Sequence, residues 1–184
     1  MARYIGPKTK VARKFGEAIF GEDSYFEKRN YPPGQHGMAR RRAKRSEYAT
    51  QLQEKQKAKF IYGVMEKPFR NYFEKAKKLE GPAGENLIIM LEQRFDNVVF
   101  RAGFGKTRRE CRQMVVHNHF TINGKKVDIP SYLVKPGDVI EVREKSRSSV
   151  KFKRLTGEDA PVVNVPKWLD RNKNTLQGTV VTMP

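Results

Sequence analysis

Asn123-Gly124 stands between the β-prone runs "HFTI" and "KKVDI". Both central positions of a two-residue hairpin turn need positive φ, and Asn-Gly is the strongest short-range signal for such a turn. The dipeptide therefore predicts an antiparallel hairpin with Lys125 and Lys126 flanking its tip. Immediately upstream, "TRRECRQMVV" reads as a helix. Thr107 and Glu110 have the spacing of a capping box, and Cys111, Met114 and Val115 fall at i, i+3 and i+4. Arg108 and Arg112, four residues apart, share the other face. Before that, "RFDNVVFRAGFGK" predicts a short helix with Phe95, Val98 and Val99 inward, stopped by Gly103 and Gly105. Downstream, "LVKPGDVIEVREKS" supplies a Pro-Gly-Asp turn and a strand through Val139, Ile140 and Val142. Residues 94–157 are thus expected to form a module of two short helices and an antiparallel hairpin sheet.

Residues 47–93 carry a different period. "SEYATQLQEKQKAKFIYGV" opens on Ser46 as a helix N-cap. Phe69, Tyr72, Phe73, Ala76 and Leu79 then recur at helical spacing, with Pro68 in the first turn and Gly81-Pro82 as the stop. Leu87, Met90 and Leu91 form a further stripe. These stripes are read as core. In the tail, 158–184, Trp168 is expected to anchor the chain back on the helical body, and "GTVVTMP" reads as a short strand. The first 46 residues, interrupted by Gly6-Pro7, Gly21 and Pro32-Pro33-Gly34, are expected to be a basic extended N-terminal segment, poorly structured alone. The fold class is α+β: a mainly helical body plus the small module.

Charge decides what such a chain can meet. Lys and Arg number 38 against 20 Asp and Glu, a formal charge of +18 on 184 residues. A surplus of that size repels itself and attracts polyanions. Hydrophobic residues make up 38%, low enough that some segments are expected to order only on binding. The single cysteine, Cys111, permits no intrachain disulfide and no Cys-rich zinc site, in keeping with a reducing cytosol; it reads as a small core residue. No apolar run is long enough to span a membrane and the N-terminus has no signal-peptide character, so a membrane partner is not expected. Arg40, Arg41, Arg42, Lys44 and Arg45 fall within six positions, and Tyr4, Tyr31 and His36 are scattered among the nearby bases. Bases interleaved with aromatics suit unpaired nucleotides. Around the hairpin, Arg94, Arg101, Lys106, Arg108, Arg109, Arg112, Lys125 and Lys126 are set against Asp96 and Glu110. A helix face and a hairpin tip of one sign make a corner that can cradle phosphates, and shape readout of this kind suits folded RNA.

The stretch from Leu91 to Ser146 resembles the small RNA-binding module named after ribosomal protein S4, which is shared with pseudouridine synthases, some tyrosyl-tRNA synthetases and a heat-shock RNA binder. "KRNYPPGQHG", "QLQEKQKAKFIYGV", "FRNYFEKA", "DIPSYLVKPGD" and "LQGTVVTMP" extend the likeness over nearly the whole chain, in order, to the bacterial-type ribosomal S4 family. The resemblance implies a structural component of the small ribosomal subunit, cytoplasmic and without cofactor. It implies a primary binder of the 5′ domain of small-subunit ribosomal RNA that nucleates assembly. It also implies ribosomal protein S5 and other small-subunit proteins as neighbours, near the mRNA entry region, with an effect on translational accuracy. Many relatives hold zinc through four N-terminal cysteines. Thr9 and Ala12 stand where such relatives have cysteines, so the chain resembles the zinc-free branch and no metal is expected.

Candidate RNA-binding residues follow from the basic surface and the resemblance together. In the N-terminal segment they are Arg3, Lys8, Lys10, Arg13, Arg29, Tyr31, Gln35 and His36, with the Arg40–Arg45 cluster. The helical body adds Lys55, Lys59 and Arg70. The module adds the eight bases of the corner with Thr107, Gln113, His117, His119 and Asn123. No small-molecule substrate is expected. An enzyme carrying the module would need a separate catalytic domain, and His36, His117 and His119 make no recognisable constellation with an acid and a nucleophile. A sequence-tolerant DNA binder is the other rival, and duplex competition separates it. Binding to its own mRNA is a third role open to such a chain.

Overall fold

The structure is a computed structural model that describes residues 3–39, 46–156, 164–172 and 174–184. The chain divides into two compact units, Met1–Arg70 and Asn71–Pro184. The division falls inside a helix, not at the composition changes near residues 46 and 93.

The first unit contains α1 (Lys8–Phe15), α2 (Ser24–Lys28), α3 (Glu47–Tyr62) and the start of α4 (Glu66–Ala76). The N-terminal segment thus carries two short helices where the Gly/Pro breaks and the charge favour extended chain. The reason lies in spacing: Val11, Ala12 and Phe15 make a narrow apolar stripe among the bases of α1, and all three are buried. Phe15 and Tyr4 set their rings against Phe60 of α3, with centroids 5.9 and 5.2 Å apart. Asp23 caps α2 by accepting from the N–H groups of Tyr25 and Phe26, and Thr9 Oγ1 donates to its other oxygen at 2.7 Å. Thr9 and two backbone donors hold the Asp23 carboxyl below the usual range. This hydrogen bond ties α1 to the start of α2. Ser46 caps α3 as expected, accepting from Ala49 N–H.

The second unit continues α4 and adds α5 (Ala83–Glu92), α6 (Phe95–Arg101), α7 (Arg108–Val116), α8 (Glu144–Arg147) and α9 (Val150–Thr156). Its strands are β1 (Phe120–Ile122), β2 (Lys125–Lys126), β3 (Val139–Val142), β4 (Leu169–Asn172) and β5 (Gln177–Val180). Among the described residues these form one antiparallel sheet in the order β2-β1-β3-β5-β4. Asn123 and Gly124 take φ of 49° and 75°, the two positive values that the turn requires. Phe120 lies opposite Val142, and Ile122 opposite Ile140. Period two sends all four side chains to one face, where they meet Phe95, Val98 and Val99 of α6 and Cys111, Met114 and Val115 of α7. The buried pair in β3 is Ile140 and Val142, with Val139 turned the other way. Phe120 stands edge-on to Phe95 and Phe152, centroids 6.1 and 5.9 Å away. Each fully buried aromatic contributes about 1.5–3 kcal/mol.

The tail differs from expectation. β5 pairs with β3, and Trp168 packs against the module's core rather than returning the tail to the helical body. Pairing with an open strand edge satisfies a row of backbone groups as well as burying Leu169, Leu176 and Val180. The helices α8 and α9 lie in a stretch whose sequence predicts no secondary structure, and α9 buries Phe152 and Leu155.

Candidate nucleic-acid interface

The basic corner is built on a chain of acids. Asp96, 5% exposed, accepts from Arg94 Nε at 3.1 Å, Arg94 Nη2 at 2.7 Å and Arg112 Nη1 at 2.9 Å. Arg94 also donates to Tyr72 Oη at 2.9 Å. At 3% exposure Arg94 is an interior residue, so the expectation of a surface contact there is corrected. Burial works against its charge, but the neighbouring Asp96 carboxylate outweighs burial and holds its pKa above the ordinary value. A buried cation of this kind needs its partner.

A second relay runs beside it. Arg101 donates to Glu92 through Nε at 2.9 Å and Nη2 at 2.6 Å, a two-pronged pairing. Asn97 Nδ2 donates to Glu92 Oε2 at 2.7 Å, and Asn97 Oδ1 accepts from Arg108 Nε at 2.8 Å. The Arg108 guanidinium lies 4.5 Å from the Phe100 ring centroid. The Arg101 side chain keeps 40% of its surface exposed, whereas Glu92 is buried. The acids therefore order the arginines of α6 and α7 while lying beneath them. Glu92 and Asn97 escape sequence reasoning; the only signal was an acid or amide within helical reach of several arginines.

Two polar candidates turn out to hold geometry. Thr107 Oγ1 accepts from Glu110 N–H at 3.2 Å, and Glu110 Oε2 accepts from Lys106 N–H at 2.9 Å, which closes the start of α7. Asn123 accepts from Val139 N–H at 2.9 Å and donates to Asp138 at 2.8 Å, locking the hairpin to the Pro-Gly-Asp turn. Lys125, Lys126, Lys106, Gln113 and His117 are exposed, and Arg109 is half-buried. His119 is also half-buried: its Nδ1 lies 2.9 Å from Ser146 Oγ and its ring meets the edge of Phe152. Burial, then the nearby His117, Lys151 and Arg143, lowers its pKa. Burial pushes the Cys111 thiol well up, which leaves it inert as a nucleophile.

In the first unit Arg3, Lys8, Lys10, Arg29, Gln35, His36 and Arg70 are exposed, and Tyr31 is half-buried. Arg13 is turned inward to the backbone of Tyr31 and Pro32. Lys55 and Lys59 both pair with Glu66, at 2.5 and 2.8 Å, and these two lysines pull the Glu66 carboxyl down to about 2. Arg40, Arg41, Arg42, Lys44 and Arg45 lie outside the described residues. Among the described residues no group of His, Cys, Asp or Glu side chains could hold a metal ion, and no helix is long and apolar enough to cross a membrane.

An α6–α7 pair laid on a β1–β2 hairpin, with arginines on the helices and lysines at the turn, defines an S4-type RNA-binding module. Residues 93–140 match the S4 domain, and residues 3–92 match the family described as ribosomal protein S4/S9 N-terminal domain. The small ribosomal subunit protein uS4 of Christiangramia forsetii is 55% identical over 184 residues, covering 100% of this chain and 90% of that protein. The uS4 protein of Flavobacterium psychrophilum is 54% identical with the same coverage. That of Mycolicibacterium gilvum is 56% identical over 171 residues, 92% of this chain and 83% of its own. The chain belongs to the bacterial uS4 family of small-subunit ribosomal proteins.

Proposed function

We propose that this chain binds the 5′ domain of small-subunit ribosomal RNA early in assembly, nucleates folding of that domain, and contributes with ribosomal protein S5 to translational accuracy near the mRNA entry region. The family makes it a structural, ribosomal-RNA-binding protein of the small subunit, at work in the cytoplasmic ribosome, and not an enzyme. The observation that carries the RNA reading is the preordered arginine face of α6 and α7 beside the exposed lysine tip. Arginines already held by buried acids lose little freedom when they meet phosphates, so more of each contact appears as affinity. The bases displace counterions, which gives a steep salt dependence. The remaining lysines and arginines of the first unit, Arg13 excepted, and those of the 40–45 cluster add further phosphate neutralisation in this reading.

The test is binding of the purified chain to a 5′-domain ribosomal RNA fragment, against duplex DNA of equal length, across a salt series. Binding that survives the competitor supports the reading. Equal loss to both polyanions would leave only a general basic binder.

A further inference from the structure

Arg13 lies among the bases of α1, yet its guanidinium addresses the chain's own backbone. Nε donates to the Tyr31 carbonyl at 2.8 Å, Nη2 to the Pro32 carbonyl at 3.3 Å, and the guanidinium carbon lies 4.5 Å from the Tyr31 ring centroid. Two successive carbonyls suit the planar fork of arginine, and the point charge of lysine does not reproduce it. The Pro32 carbonyl has a second neighbour. A Cβ on Gly37 would run into that oxygen and would come within 3.2 Å of the Gly34 carbonyl oxygen. The Gly37 N–H instead donates to Gly34 at 3.1 Å, closing the loop. The Pro32 carbonyl is thus wedged between the Arg13 fork and a residue that can only be glycine. At the crest of the loop closed in this way, Gln35 and His36 are exposed.

We infer that Arg13 is a positioning residue for RNA recognition: with Gly37 it sets the shape of the Pro32–Gly37 loop, which presents Gln35 and His36 to RNA, and it is not itself a phosphate contact. This rests on the RNA-binding reading above and adds a division of labour within it. A base that meets a phosphate contributes close to one to the slope of log K against log salt, whereas a base that shapes a loop contributes to K and leaves the slope alone.

The experiment uses the full chain and a 5′-domain ribosomal RNA fragment, with Kd measured over a salt series. Arg13→Ala and Arg13→Lys should each weaken binding by about tenfold, on the order of one charge-assisted hydrogen bond, with an unchanged salt slope. In a His36→Ala background the same Arg13 changes should cost less than about twofold, since contacts that act as a unit are not additive. Gly37→Ala, which leaves α1 and its charge intact, should reproduce the loss at the wild-type slope, so a stability effect of the Arg13 variants does not obscure the result. A slope reduced by about one in Arg13→Ala, wild-type affinity in Arg13→Lys or Gly37→Ala, or full additivity with His36→Ala would each overturn the inference. If the wild-type chain itself showed no preference for the fragment over duplex DNA, the RNA-binding reading would fall, and this inference with it.

Discussion

The Asn97 side chain bridges a buried carboxylate and an arginine. Its Oδ1 accepts from Arg108 Nε at 2.8 Å, while its Nδ2 donates to Glu92 Oε2 at 2.7 Å. Glu92 grips Arg101 with both oxygens, so one buried carboxylate orients an arginine on α6 directly and another on α7 through an amide. The spacing of the two guanidinium groups is therefore a property of the folded core.

Asn97→Ala should separate these roles. Removing a buried amide leaves Glu92 and Arg108 without a shared partner, a cost of about 1–3 kcal/mol. RNA affinity should fall several-fold as Arg108 loses its fixed direction. Asn97→Asp should be worse for stability, because a second carboxylate would face Glu92. Urea denaturation of both variants checks the order; a midpoint unchanged in Asn97→Ala would show the relay to be incidental.

Asp96→Asn should be the most damaging single change in the corner. It removes the counter-charge of a buried arginine, and breaking a buried pair from one side costs about 3–5 kcal/mol. Arg112→Ala, on the exposed side of the same carboxylate, should cost far less. Thermal melts that ranked the two equally would contradict the placement of Arg94 in the interior.

Lys125→Ala with Lys126→Ala should leave the melting temperature of the chain where it is, because both side chains are exposed at the turn. RNA binding should weaken and the salt slope should fall by about two, one for each phosphate that a lysine no longer neutralises. Arg108→Ala with Arg112→Ala should also weaken binding and flatten the slope, with helix content retained. Slopes equal to wild type in both pairs would mean that the corner faces solvent in the complex.

His119 gives a pH signature. Its folded-state pKa lies below the ordinary 6.5. The unfolded chain then binds more protons in the interval between the two values, so stability rises with pH there. The contribution is complete above the unfolded value and declines as pH falls below it, until the folded form also takes up the proton. His119→Gln should flatten the dependence of stability on pH in the range just below 6.5. An unaltered pH profile in that variant would assign the effect elsewhere.

Much of the module was legible because its signals are local. Asn123-Gly124 fixed a turn, Thr107 and Glu110 a helix start, and the 3.6-residue period of α6 and α7 named the core side chains. What escaped was long-range. Strand β5 finds β3 across 35 positions, from Val142 to Gln177, and no pattern in "GTVVTMP" names its partner. The same limit hid which arginines would face inward. Arg94 and Arg101 look alike as letters, and only the fold puts one against Asp96 and Tyr72 and leaves the other partly in water. In α1, abundant lysine and arginine masked a three-residue apolar stripe.

The place of β5 between β3 and β4 also sets an order of events during synthesis. A nascent chain that has emerged as far as β4 holds the hairpin and the α6–α7 pair, but β3 still presents a bare row of N–H and C=O groups. Such an edge is a template for stray pairing, and the delay is the kinetic cost of a non-local sheet. A premature stop before Gln177 would therefore yield an open, aggregation-prone product rather than a shortened but working binder.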